Sequence, residues 1–356
     1  MAELLKNSFD KKFINTLSLK LDQLDSKFNR KDFTKSFQKQ DWEALELKQR
    51  IRAISHLMHE HLRGDYKKRL QTLISCSEQL TGFQSLVFPD YVQVYGLDLK
   101  NEDLSLSALK ELTKYSTSEY AIRPFIKRSP EKLMKTLLQW SKDDNYHVRR
   151  LSSEGCRPRL PWGGQLRDFI NDPALILPIL VELKADPSDY VRKSVANNLN
   201  DISKDHPQIA LDFAKKHWGQ SVPVDRTIKH GLRTLLKSSN TQALKIIGYN
   251  LKSIKNIKIS TTKTVPKNKL LKLNISYEVT TPSTVRVEYK MHFLKANNTY
   301  TTKVFKVSEK PHKKGHHSLQ THYNFKPIST RKYYSGEHFV SAVINGKESD
   351  KVSFKL

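Results

Sequence analysis

The hydrophobic period of this chain changes once, near residue 255, and a chain with two periods has to build two unlike parts. Before the change, apolar residues recur every three or four positions. Leu47, Ile51, Ile54, Leu57, Met58 and Leu62 form one stripe, followed by Leu70, Leu73 and Ile74, by Leu133, Leu137 and Leu138, and by Ile176, Ile179, Leu180 and Leu183. That spacing predicts short amphipathic helices lying side by side. Ser129-Pro130, Asp172-Pro173, Asp186-Pro187 and His206-Pro207 read as helix starts with proline in the first turn. After the change, Leu271, Leu273, Ile275, Tyr277 and Val279 alternate with polar neighbours, as do Val285, Val287, Tyr289, Met291 and Phe293. Period two means strands with one face buried. Further strands are expected at 299–307, 318–326, 338–344 and 351–356.

The helical part repeats. Asp143-Asp144-Asn145-Tyr146-His147-Val148-Arg149-Arg150 aligns with Asp186-Pro187-Ser188-Asp189-Tyr190-Val191-Arg192-Lys193 at an offset of 43 residues. HEAT-type helical repeats are spaced by about 40–47 residues. Ile228, Leu232 and Leu235 look like a degenerate later copy, and Ile122-Arg123 like a shorter earlier one. In a solenoid of this kind the second helices line one concave face. The strand-rich part, with Pro, Asn and Gly turns, suggests an immunoglobulin-like β-sandwich without the paired cysteines of antibody domains. The expected architecture is multidomain: an all-α HEAT-like helical-repeat solenoid over 1–253, then a small all-β immunoglobulin-like sandwich over 256–356.

Charge narrows the function. The 356 residues carry 62 Lys+Arg against 36 Asp+Glu, a net of +26. Such a surplus suits a polyanion, with nucleic acid ahead of an acidic membrane surface. Residues 256–356 hold 19 Lys/Arg and 6 Asp/Glu, so half of the surplus sits on the smaller part. The most apolar run, 174–183, is interrupted by Pro178 and Glu182, far short of the roughly 20 apolar residues a spanning helix needs. Two cysteines, Cys76 and Cys156, cannot make a disulfide framework, and no Cys/His set has zinc-finger spacing. The start, Met1-Ala2-Glu3-Leu4-Leu5-Lys6, lacks the features of a secretory signal. These features predict a soluble cytoplasmic protein with no membrane association.

Several residues invite a chemical reading. On the helix expected at 189–204, Val191, Val195, Leu199 and Ile202 make the core stripe, while Asn197, Asp201 and Lys204 share another face beside Lys193. A carboxylate among cations can hold a water or meet a developing positive charge; it can equally be half of a surface ion pair. In the preceding copy Arg150 and Glu154 occupy the positions of Lys193 and Asn197. Glu154 opens the segment Gly155-Cys156-Arg157-Pro158-Arg159-Leu160-Pro161-Trp162-Gly163-Gly164, where Arg157 and Arg159 offer phosphate donors. Trp162 either plugs the underside of that loop or forms a stacking wall. Ser116-Thr117-Ser118-Glu119 matches a capping box, and Pro124 should end or kink a helix near Arg123. His56, His59 and His61 crowd one helix at spacings that do not suit a metal. Lys310-Pro311-His312-Lys313-Lys314-Gly315-His316-His317 reads as an exposed hairpin loop, either merely solvated or gripping phosphates with Lys313 and Lys314, and the overall charge favours contact.

At Ser118-Glu119-Tyr120-Ala121-Ile122-Arg123-Pro124-Phe125, at His147–Gly155 with Arg157-Pro158-Arg159-Leu160-Pro161-Trp162, and at Tyr190–Ile202, the chain resembles the AlkC group of HEAT-like-repeat DNA glycosylases. Phe88-Pro89-Asp90-Tyr91-Val92 and Tyr95-Gly96 are similar to the same family. The likeness covers about residues 1–250, and the basic sandwich resembles the appendage of one AlkC subgroup. It implies excision of cationic methylated bases, chiefly 3-methyladenine, with 3-methylcytosine and 1-methyladenine as further candidates, from double-stranded DNA without full base flipping. It also implies that Glu119, Glu154 and Asp201 are the acidic active-site positions and Trp162 an aromatic beside the lesion, which displaces the capping reading of Glu119. It implies further that Arg150, Arg157, Arg159, Lys193, Asn197 and Lys204 on the concave side contact the DNA. Cys156 stands where the family pattern has another small residue. No cofactor or metal is implied. A monomer in a bacterial cytoplasm, held at the nucleoid by DNA, is expected. The alternative is a non-catalytic HEAT-repeat protein that recognises bent or branched DNA.

Overall fold

The computed structural model describes residues 4–265, 269–328 and 331–356, and its elements are sixteen α-helices followed by two β-sheets. The chain divides into two compact units, Met1–Asp205 and His206–Leu356. No helix among the described residues is long and apolar enough to cross a membrane.

In the first unit the repeat is visible as hydrogen bonding. Asp143 and Asp186, 43 residues apart, each accept from a backbone N–H two residues on, Asn145 at 2.9 Å and Ser188 at 2.8 Å. Each then takes a cation from the preceding repeat: Lys110 reaches Asp143 at 2.7 Å, and Arg149 grips Asp186 with two bonds of 2.6 and 3.1 Å. Arg149 also donates to the carbonyls of Asp143 and Asp144, and its equivalent Arg192 to those of Asp186 and Pro187. The Asp turn and the Val-Arg pair are thus a rivet between neighbouring repeats. The helices that follow, Tyr146–Gly155 and Asp189–Asp205, pack on each other. Val191, Val195, Leu199 and Ile202 are buried as the stripe requires.

Proline placement is partly literal. Helices Pro130–Trp140 and Pro207–His217 begin on their prolines. Pro173 instead precedes a 3₁₀ turn, Ala174–Ile176, and Pro187 lies two residues before its helix. Pro178 opens the helix Leu177–Leu183 rather than breaking one. Pro124 likewise lies in the first turn of the helix Ile122–Arg128, where a proline forgoes only an N–H that has no intrahelical partner.

The second unit joins the last four helices, Pro207–His217, Val222–Gly231, Arg233–Lys237 and Thr241–Ile246, to the strands. Strands β1 (Ile254–Thr261), β2 (Leu270–Val279) and β5 (Gly315–Asn324) form one sheet in the order β1-β2-β5. Strands β3 (Ser283–Leu294), β4 (Tyr300–His312), β6 (Glu337–Ile344), β7 (Lys347–Glu348) and β8 (Val352–Lys355) form the other, with β3 and β8 both beside β6. All described pairings between these strands are antiparallel, and the inward residues Leu271, Leu273, Ile275, Val285, Val287, Met291 and Val340 make the core. The fold is the expected helical-repeat region followed by an immunoglobulin-like sandwich.

Two expectations fail locally. The segment 310–317 is not a hairpin loop: β4 runs to His312, β5 starts at Gly315, and the two pair in different sheets. Lys313 and Lys314 alone span the crossing, both exposed, with Gly315 at φ 135° where an L side chain would be strained. Strand β1 escaped notice because a bulge between Lys255 and Lys258, with Asn256 at φ 51°, destroys its alternation.

Candidate active site

Three separate segments of the first unit bring their carboxylates together. Glu119 lies in the turn before Ile122–Arg128, Glu154 is one residue from the end of Tyr146–Gly155, and Asp201 is near the end of Asp189–Asp205. They are 7, 5 and 1% exposed. Cations alternate with them in a continuous row. Arg150 pairs with Glu119 and, at 3.5 Å, with Glu154; Arg157 pairs with Glu154 at 2.6 Å and Asp201 at 2.9 Å; Lys204 closes the row on Asp201 at 3.0 Å. Charges this deep require such partners, because an unpaired buried carboxylate is strongly destabilising. Burial alone would weaken the Arg150 cation, but Glu119 and Glu154 outweigh it and hold the guanidinium above the ordinary arginine range. Arg157 is shifted the same way against the same penalty, by Glu154 and Asp201.

Both arginines meet Glu154 at Oε1, and its Oε2 accepts no hydrogen bond among the described residues. Glu119 does not cap a helix: its Oε2 accepts from the Thr117 hydroxyl at 3.0 Å and from Arg150, and Thr117 accepts from Arg150 at 2.9 Å. Burial, then the Glu119 charge, pushes the Tyr120 phenol well above its usual range. The Arg150 guanidinium lies 5.0 Å from the centre of the Tyr190 ring.

The loop after Glu154 is held from below by Arg123, itself buried. Its guanidinium donates to the carbonyls of Gly155 and Arg157, each at 2.8 Å, and twice to that of Gly164. Burial lowers the Arg123 pKa to about 10, which leaves it a cation at neutral pH. Gly155 permits this closeness, since a Cβ there would meet Ile122 Cγ2 at 2.6 Å. Cys156 is buried beneath the loop, its thiol pushed up to about 12 by burial, so it stands as an inert filler. Trp162 is not a plug: it is 59% exposed, at φ 61°, a strained value for a side chain of its size. Lys48 donates to its carbonyl and lies 5.4 Å from the Tyr120 ring centre. Trp162, Tyr120 and Thr117 share the wall of a cavity of about 610 Å³.

The remaining sequence candidates fall in different settings. Arg157, expected to offer donors to phosphate, is turned inward between two acids. Arg159 makes a two-bond pair with Asp205, at 2.8 and 2.7 Å, and remains partly accessible. Asp201 and Lys204 do form the ion pair their spacing allows, but the carboxylate end is buried. Lys193 is exposed on the same helix and Asn197 half-buried. Lys313 and Lys314 belong to the second unit. The three histidines diverge: His56 meets Tyr95, His59 meets Tyr91 and Arg69, and His61 meets Ser36. Sequence reasoning passed over Arg123, Tyr120, Thr117 and Lys48 as parts of the site. The Ile122-Arg123 copy was a usable signal, but Arg123 reaches the later loop where Arg149 and Arg192 reach the preceding turn.

Known proteins resemble the chain along nearly its whole length. Residues 110–236 match the family described as DNA alkylation repair enzyme, and 253–356 match the C-terminal Ig-like domain of uncharacterised protein YhaZ. Uncharacterized protein YhaZ of Bacillus subtilis (strain 168) is 39% identical over 357 residues, 99% of each chain. Alkylpurine DNA glycosylase AlkC of Pseudomonas fluorescens, solved bound to DNA containing an abasic site analog, superimposes with a TM-score of 0.93 at 32% identity over 99% of each chain. A helical unit with convergent buried acids, an immunoglobulin-like sandwich and these full-length likenesses identify the chain as a member of the AlkC-type DNA alkylation repair family.

Proposed function

We propose that this protein is a monofunctional DNA glycosylase that hydrolyses the N-glycosidic bond of cationic N-methylated bases in duplex DNA, 3-methyladenine first and 3-methylcytosine and 1-methyladenine after it, without drawing the base fully out of the helix. The observation that carries the reading is the convergence of Glu119, Glu154 and Asp201 in one buried ion row. A base methylated at a ring nitrogen already carries positive charge, so its departure needs no strong acid. The C1′–N bond breaks, its electron pair leaves with the base and cancels that charge, and the sugar becomes oxocarbenium-like. Fixed carboxylates stabilise such a cation without reorganising, and a water then adds its oxygen to C1′ while its proton passes to a carboxylate. Glu154 Oε2, with no hydrogen bond of its own, is the acceptor best supported for that water. Arg150 and Arg157 fix the acids in place rather than binding phosphate. Arg159, Lys193, Asn197, Lys204, Lys313 and Lys314 are left to contact the DNA, and Trp162 to flank the lesion.

Chromatography of bases released from methylated DNA tests this. Free 3-methyladenine should appear without added metal or nucleotide and should fall to background with Glu154→Gln. DNA that is bound, with a strong dependence on salt, but yields no base would make the protein a non-catalytic binder.

A further inference from the structure

We infer that the cavity beside Tyr120 and Trp162 is a binding site for a free adenine-type base, the leaving group of the proposed reaction. The inference rests on that reading for the source of the base, not for the chemistry of the site. At about 610 Å³ the cavity is within the size of small-molecule pockets, and like them it is mostly apolar, with Phe83, Leu86 and Pro89 among its walls. It is linked to the ion row through two of its lining residues. Thr117, which lines it, bonds both Glu119 and Arg150, and Tyr120, which also lines it, feels the Glu119 charge. A base detached at the acids therefore has an apolar, aromatic-walled space beyond Thr117 and Tyr120.

The polar groups of the cavity single out its ligand. Arg52 and Asp90 are committed to each other through bonds of 2.8 and 3.0 Å, Glu46 to Lys6 at 2.8 Å, and Lys48 to the Trp162 carbonyl. The side-chain amide of Gln93, which also lines the space and is half-buried, has no hydrogen-bond partner among the described residues. A carboxamide offers one acceptor and one donor side by side, the complement of the N6 donor and N7 acceptor of adenine. Methylation at N3 or N1 leaves that edge intact. Methylation at N7 leaves the equivalent N6 donor and N1 acceptor free, whereas 3-methylcytosine, its N3 blocked, has no acceptor beside its N4 donor. Planar aromatic neighbours add stacking that accepts any base. The site is thus assigned to adenine-type bases.

Equilibrium dialysis of the full-length protein against radiolabelled 3-methyladenine, without DNA, is the test. Saturable binding is expected, with adenine and 7-methyladenine as competitors and 3-methylcytosine a much poorer one. Gln93→Leu should weaken binding roughly tenfold, the value of a lost two-bond contact. Leu86→Trp, which fills the cavity, should abolish it; circular dichroism checks that each variant is folded. If the wild type shows no saturable binding up to millimolar base, or Gln93→Leu binds as well as wild type, the assignment is overturned. Base binding by a protein that releases nothing from methylated DNA would leave the pocket standing and remove the proposed activity; release without binding would do the reverse.

Discussion

Each unit buries a row of alternating charges, and the two rows differ in what they end on. In the second unit Arg286 pairs with Glu288 and lies 3.8 Å from Glu309, which in turn takes Lys229 and, at 3.4 Å, Lys306. Arg286 and Glu288 are two residues apart on β3, and Glu309 is directly opposite Arg286 on β4. Strand register alone brings them together, and Lys229 ties the Val222–Gly231 helix to them. Glu309 is held below the ordinary carboxyl range because Lys229 and Tyr249 outweigh its burial. The row in the first unit draws on three segments, is tied through Thr117 to a cavity with an exposed tryptophan in its wall, and leaves one carboxylate oxygen of Glu154 unengaged. Buried charge by itself does not mark chemistry, since either row satisfies the desolvation of its members. The marker is an open lone pair.

That contrast breaks most sharply under conservative neutralisation. Asp201→Asn keeps size and hydrogen bonding but removes an anion from the site, and base release should drop by about 10²–10³-fold, the usual scale for losing one preorganised electrostatic group. Glu288→Gln, an equally buried acid, should instead lower stability by about 3–5 kcal/mol, leaving release per folded molecule as in wild type. Urea unfolding and single-turnover excision, run on both variants, separate the two outcomes. An Asp201→Asn protein that is less stable but fully active would reduce the first row to the status of the second.

Arg123 tests whether the site row depends on support the other row does not need. Arg123→Lys retains the charge but not the fork that reaches three carbonyls, so the segment carrying Glu154, Arg157 and Trp162 loosens. Misplacement by about 1 Å can cost up to about 10²-fold in turnover, and the loss should appear in kcat with KM for DNA little changed. A matched fall in DNA affinity would mean that Arg123 shapes the binding surface rather than the acids.

How much of this was legible beforehand follows from where the information lies. The two-part architecture was readable because hydrophobic period is a local property, and the 43-residue repeat because Asp143 and Asp186 play one role twice. Strand β1 was not, since its bulge hides the period, and the crossing at Lys313-Lys314 was read as a hairpin because sequence does not say which sheet a strand joins. The acids were named through a family likeness; spacing alone left Asp201 a plausible surface pair and made Glu119 a capping residue. Arg157 was given to phosphate because exposure is not written in a Pro-Arg loop. Arg123 contacts residues 32 to 41 positions away, beyond any local pattern.

Acid separates the two units by a smaller effect. Among their histidines His338 is completely buried in the sandwich, whereas His147 in the helical unit is half-buried. His338 Nε2 donates to the Tyr334 carbonyl at 2.9 Å, and its Nδ1 accepts from the Leu294 N–H at 3.2 Å, an arrangement only the neutral ring can make. Burial accordingly lowers its pKa below the ordinary 6.5, although the Tyr334 carbonyl opposes the shift. The unfolded chain then binds the proton more readily than the folded one. The stabilisation is complete above pH 6.5 and is lost as the pH falls from there through the folded-state value. Urea unfolding followed by a sandwich-specific probe should show this decline as the pH falls below 6.5. His338→Gln, which can donate and accept without titrating, should flatten it. An unchanged slope in that variant would move the acid sensitivity to His292, the other sandwich histidine whose pKa burial depresses, and would leave the His338 hydrogen bonds a packing feature without a proton linkage.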